Sequence, residues 1–172
     1  MKLSSDEEKN FLIDIDELLQ SKRIYEMQKY IQHGNTSTFK HCLLVAYYSY
    51  WLCQRLPMKF DIRSVARGGL LHDFYLYDWH IPDQSHRLHG FFHPYVALNN
   101  ASELFHLNCL EKDIIRSHMW PLTIRNNPRS REALVVCLVD KFCSFTETFY
   151  IPIRPKDYRD ICSAIEKMHT QR

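Results

Sequence analysis

Six side chains of this sequence have the types and settings to do chemistry together: His41, His72 with Asp73, His93, His118 and Asp140. Most sit among apolar neighbours, in "KHCLLVAYY", "GGLLHDF", "DIIRSHMW" and "LVVCLVDKF". A carboxylate such as Asp140 is costly to bury there, by several kcal/mol, unless a cation or hydrogen bonds offset it. Taken singly, each of these residues reads as a hydrogen-bonded core or boundary residue. Taken together, they form a mixed nitrogen and oxygen donor set suited to a divalent transition metal. Gly68 and Gly69, just before the His-Asp pair, would let neighbouring helices approach the metal-bearing turn, or would serve plain close packing.

These residues can meet only if helices carry them. Apolar residues recur at helical spacing over 6–19, 22–32, 38–56, 62–74, 94–107, 111–119, 130–149 and 156–169, so the expected fold class is an all-α, single-domain helical bundle. Start signals support several of the blocks. Thr36 or Ser37, Asp61 and Ser130 can each cap exposed N–H groups, while Pro57, Pro121, Pro152 and Pro155 mark stops. Between 75 and 92, "YLYDWHIPDQSHRLHGFF" has no clean period and reads as an ordered loop. Only four glycines are present, which argues against a fold built on tight hairpins.

The order His41, His72-Asp73, Asp140, with "ARGGLLHD" leading into the pair, resembles the HD superfamily of metal-dependent phosphohydrolases over roughly residues 37 to 149. The resemblance implies that His41, His72, Asp73 and Asp140 hold one metal ion. In binuclear branches the Asp of the pair bridges to a second ion held by two further histidines, for which His93 in "HPYVA" and His118 in "RSHMW" stand in the matching places. His93 is favoured over His89 because the helical pattern begins there, with Pro94 at a first helical position. His89 remains an alternative ligand or a residue that orients one. Two ions sharing Asp73 would supply hydroxide near neutral pH and clamp phosphoryl oxygens. Iron or manganese is favoured, with zinc, cobalt or nickel also compatible.

Lys141 and Arg116 are the candidate cations for a leaving group, although residues adjacent on a helix point about 100° apart, which works against Lys141 beside Asp140. Both also fit ordinary solvated positions. Tyr75, Tyr77 and Trp79 could wall a flat group, or anchor the loop. Arg125, Arg129 and Arg131 could meet distal phosphates, or lie on a solvated turn. His80 and His86 are loop histidines with possible substrate contact, and His33, His106 and His169 read as structural or exposed.

The wider composition narrows the partners. A formal charge of +2 from 22 basic and 20 acidic residues gives no strong global field, so a polynucleotide is not expected and a small phosphorylated metabolite or nucleotide is. Cys42, Cys53, Cys109, Cys137, Cys143 and Cys162 show no C-x-x-C spacing and sit mostly inside apolar helical stretches, so they read as buried free thiols in a reducing compartment. The start, "MKLSSDEEKNF", lacks a secretory apolar run, and "CLLVAYYSYWLC" is too short to span a bilayer, so a cytoplasmic protein without membrane partners is expected. Two competing readings keep the fold: a di-iron oxygenase using the same ligands, and a non-catalytic nucleotide-sensing module.

Overall fold

A helix that is apolar on every side has to run through the centre of its domain, and "TFKHCLLVAYYSYWLC" is such a helix. In the computed structural model, which describes residues 2–81, 88–151, 161–163 and 165, it forms α3, Thr38–Cys53, with thirteen of its sixteen residues buried. The other elements are α1 (Ser5–Leu19), α2 (Lys22–Tyr25), a 3-10 turn (Glu26–Lys29), β1 (Ile31–His33), β2 (Thr36–Ser37), α4 (Ile62–Leu71), α5 (His89–Leu104), α6 (Cys109–Ser117) and α7 (Arg131–Thr148). The fold is all-α apart from the small antiparallel hairpin β1–β2. Helix α3 packs against α4 and α7, and α4 in turn packs against α1 and α6.

Local chemistry starts these helices where the site needs them. Ser37, Asp61 and Ser130 accept from the backbone N–H groups of Lys40, Ser64 and Ala133, at 3.4, 2.9 and 3.1 Å. Asn108 and Glu111 form a reciprocal capping box on α6. Arg67 is only 2% exposed and is held by Glu111 at 2.6 Å and Glu17 at 2.7 Å, so one buried guanidinium ties α4 to both α6 and α1. Among the described residues, no helix is long and apolar enough to cross a membrane.

Three stretches differ from the sequence expectation. The helix expected over 22–32 breaks into α2, the 3-10 turn and β1, because "IQH" alternates outward and inward as a strand does. Helix α5 begins at His89 rather than Pro94, leaving the proline inside it. The loop expected over 75–92 is therefore shorter at its far end, and residues 82–87 lie outside the described part. Of the helix expected over 156–169, residues 161–163 and 165 are described, and they are helical with Ile161 and Ile165 buried.

The paired glycines are contact points of the bundle. A Cβ on Gly69 would lie 2.9 Å from the Cα of Ala46, and one on Gly68 would lie 2.8 Å from the Cδ1 of Ile114. Glycine here lets α4 sit against both α3 and α6. Backbone at Ala46 cannot yield as a side chain can, so Gly69→Val should cost about 2–3 kcal/mol in a urea unfolding experiment, and an unchanged midpoint would contradict this packing.

Candidate metal centre

Two helix ends repeat one local device. His72 caps α4 and His118 caps α6, both with helical backbone angles, and each ring's Nδ1–H donates to the carbonyl three residues back, Gly69 or Ile115, at 2.8 Å. Carbonyls in the last turn of a helix lack backbone partners, so a histidine at the cap is oriented by them at little cost. His93, within α5, donates from Nδ1 to the His89 carbonyl at 2.8 Å. On α3, His41 donates from Nδ1 to the Glu147 carboxylate, also at 2.8 Å. A carbonyl or carboxylate only accepts, so each Nδ1 carries a hydrogen, and in the neutral ring each Nε2 is left with a lone pair.

Those four Nε2 atoms converge on two carboxylates. Asp73 divides its oxygens between two groups: Oδ2 lies 3.4 Å from His72 and 3.9 Å from His41, while Oδ1 lies 3.0 Å from His93 and 3.3 Å from His118. Asp140 Oδ1 completes the first group, 3.1 Å from His41 and 3.6 Å from His72. All six residues are buried. The structure thus brings five of the six into two clusters, His41–His72–Asp73 and Asp73–His93–His118, that share one aspartate, with Asp140 beside the first.

Such an arrangement is electrostatically incomplete by itself. The Nε2 atoms of His93 and His118 face each other at 2.7 Å, and His72 Nε2 and Asp73 Oδ1 are buried without a hydrogen bond. Lone pairs directed at one another and at carboxylates repel unless a proton or a cation lies between them. Burial alone would drive the proton off the His41 ring, but the hydrogen bonds to Asp140 and Glu147 outweigh it and push its pKa up to about 10. Burial also opposes ionisation of Asp73, yet His72 and His93 hold its carboxyl well below the usual range. For His118, burial wins and the pKa falls. Metal–nitrogen and metal–oxygen bonds near 2.0–2.2 Å place neighbouring donors about 3–4 Å apart, the spacing found here, so the donor set fits divalent metal ions.

A cleft of about 850 Å³ opens onto Asp73, His93, His118 and Asp140. Lys141 reaches its wall, with Nζ donating to the His118 carbonyl at 2.6 Å and lying 3.9 Å from Asp140 Oδ2. Arg116 does not. It pairs with Asp113 at 3.2 Å and lines a separate depression, because a residue two before His118 on a helix points some 200° away from it. Trp79 lines the cleft, whereas Tyr75 and Tyr77 turn their hydroxyls to Gln32 and His89. His89 belongs to neither cluster. Its ring stacks on that of His93, 4.4 Å between centroids, and its carbonyl orients the His93 imidazole.

Among the other basic residues, Arg131 lies over Phe60, and Arg129 approaches Asp113 through its backbone N–H. His80 is exposed beside Asp78, and His106 is exposed. Residues 86 and 169 lie outside the described part. Three contributors escaped the sequence reading. Glu147 stands seven residues after Asp140, two turns along the same face of α7, a spacing that signals it. His33 lines the cleft with its ring 5.3 Å from that of His41, and Gln32 donates to Asp73 Oδ2 at 2.6 Å. Both ride on the strand that the helical reading concealed.

The chain was compared with curated proteins and with solved structures, and none matches. Residues 38–144 do match the HD domain, and that span runs from the N-terminus of α3 into the last turns of α7, taking in all six converging residues. Because the match covers well over half of the sequence, the chain belongs to the HD domain family, the superfamily of metal-dependent phosphohydrolases.

Proposed function

We infer that this protein hydrolyses a phosphate ester or anhydride of a small metabolite or nucleotide, using two divalent ions, with iron or manganese favoured. The division of Asp73's two oxygens between separate histidine clusters at the floor of an open cleft is the observation that carries this reading. His41, His72, Asp73 and Asp140 would hold one ion, and Asp73, His93 and His118 the other. Bound there, such ions supply hydroxide near neutral pH and neutralise charge on phosphoryl oxygens.

The chain's own groups do the positioning. Lys141, braced by the His118 carbonyl, holds its ammonium at the cleft wall, where it can neutralise an oxygen leaving the phosphorus. Trp79, Met119 and Leu122 give the cleft an apolar side against which the organic part of a substrate can rest. The His89 ring, held by the Tyr77 hydroxyl at 2.8 Å, backs His93 from behind. A nearly balanced net charge supports a small substrate rather than a polynucleotide.

Phosphate release from a panel of phosphate esters, with manganese or ferrous iron supplied, tests this reading. Asp73→Ala should lower the rate at least about a hundredfold, more than the loss of a partner outside the coordination shell costs. Lys141→Met should keep its metal content and lose about ten- to a hundredfold in kcat. Full activity in Asp73→Ala, or oxygen consumption without phosphate release by the reduced iron form, would overturn the assignment.

Loading should also displace protons. The carboxylates hold a proton on His41 up to about pH 10 when nothing else lies between them, and that proton must leave before its Nε2 can bind a metal. Affinity should therefore rise as pH increases toward that value. Calorimetric titration at pH 7 in two buffers of different ionisation enthalpy should report at least one proton released per protein. Heats independent of the buffer would contradict this.

A further inference from the structure

Every ligand in the two clusters is held by something, and the shared one is held by a residue outside the helical bundle. Gln32 is 5% exposed and sits at the centre of β1, where strand alternation turns it inward while Ile31 faces out. Its Nε2 donates to Asp73 Oδ2 at 2.6 Å, and its Oε1 accepts from the Tyr75 hydroxyl, with the Thr38 hydroxyl 3.4 Å away. The amide cannot be reversed. Turned over, it would set its carbonyl against an ionised carboxylate and lose the N–H donation to Asp73.

The hairpin that presents Gln32 is itself fitted to the site. Gly34 forms the turn at φ +55°, a conformation open to glycine, and a Cβ there would come within 2.9 Å of the Glu147 carbonyl. The turn therefore seats on the end of α7 that also supplies the Glu147 carboxylate to His41. One hairpin thus braces an aspartate shared by both clusters while lying against the residue that orients a ligand of the first.

We propose that Gln32 is a positioning residue that fixes the plane of the Asp73 carboxylate so that Oδ1 is delivered to the His93–His118 cluster. This rests on the two-ion reading above. The first cluster keeps His41, His72 and Asp140 whatever Asp73 does. The second has only His93 and His118 besides Oδ1 among the described residues, so it depends on Asp73's orientation. A neutral amide suits the task. It occupies one lone pair of Oδ2 without offsetting the charge that Asp73 offers to cations, as a lysine or arginine would.

Titration of the full chain with manganese(II), followed by electron paramagnetic resonance, reads both sites and the coupling between them without any substrate. The parent protein should bind two ions and give an exchange-coupled signal. Gln32→Met, of similar length but without the amide, should bind the first ion within about threefold of the parent and the second at least tenfold more weakly. Its spectrum at one equivalent should be that of an isolated ion. Tyr75→Phe keeps the amide but removes one of the two hydroxyls at its Oε1, and should weaken the second site alone, by about three- to tenfold. That variant carries the test if Gln32→Met does not fold.

Native affinities at both sites and an unchanged coupled signal in the variants would overturn the role of Gln32 and leave the two-ion reading intact. So would equal weakening of both sites. Fewer than two ions in the parent protein would overturn both.

Discussion

Each imidazole at the centre of this protein has one nitrogen committed to a fixed oxygen acceptor, and everything else about the site depends on that constraint. Three of the acceptors are backbone carbonyls and the fourth is a buried carboxylate. With the outer hydrogens so engaged, the inner nitrogens of the neutral rings present lone pairs, all directed at one small volume already edged by two carboxylates. The protein has assembled, at its own electrostatic expense, a place that a proton stabilises partly and a divalent ion stabilises far better.

The bundle is arranged so that this convergence is rigid. Two of the converging histidines sit at helix ends, where free carbonyls orient them, and α4 brings the His-Asp pair against α3 at Gly69 and against α6 at Gly68 because neither glycine has a side chain to hold the helices apart. The buried Arg67, shared between Glu111 and Glu17, locks α4 to its other neighbours. The hairpin, small as it is, packs against α3 and α7. Packing and polar satisfaction thus point to the same residues, as expected where a site is built on helices rather than on loops.

Much of this was legible in the amino-acid order, and the omissions have physical reasons. Polar residues embedded in apolar helical stretches are conspicuous, which is why all six converging residues could be named before their geometry was known. Ser37, Asp61 and Ser130 likewise announced their helices. Gln32 was hidden because three strand residues following a helical stretch carry too little periodicity to reveal a change from 3.6 to 2. Arg116 shows the opposite error: nearness in sequence to His118 suggested nearness in space, and helical phase forbids it. Lys141 has unfavourable phase too, yet its four-carbon stem folds back to the His118 carbonyl. The start of α5 was misplaced because a proline usually opens a helix, and here it lies within one.

Anomalous diffraction at the manganese edge, from crystals of the metal-loaded protein, addresses the centre itself. Two peaks about 3.5–4 Å apart, one beside each oxygen of Asp73, are what this account predicts. A single peak remote from Asp73, or none within bonding distance of His93 and His118, would contradict it.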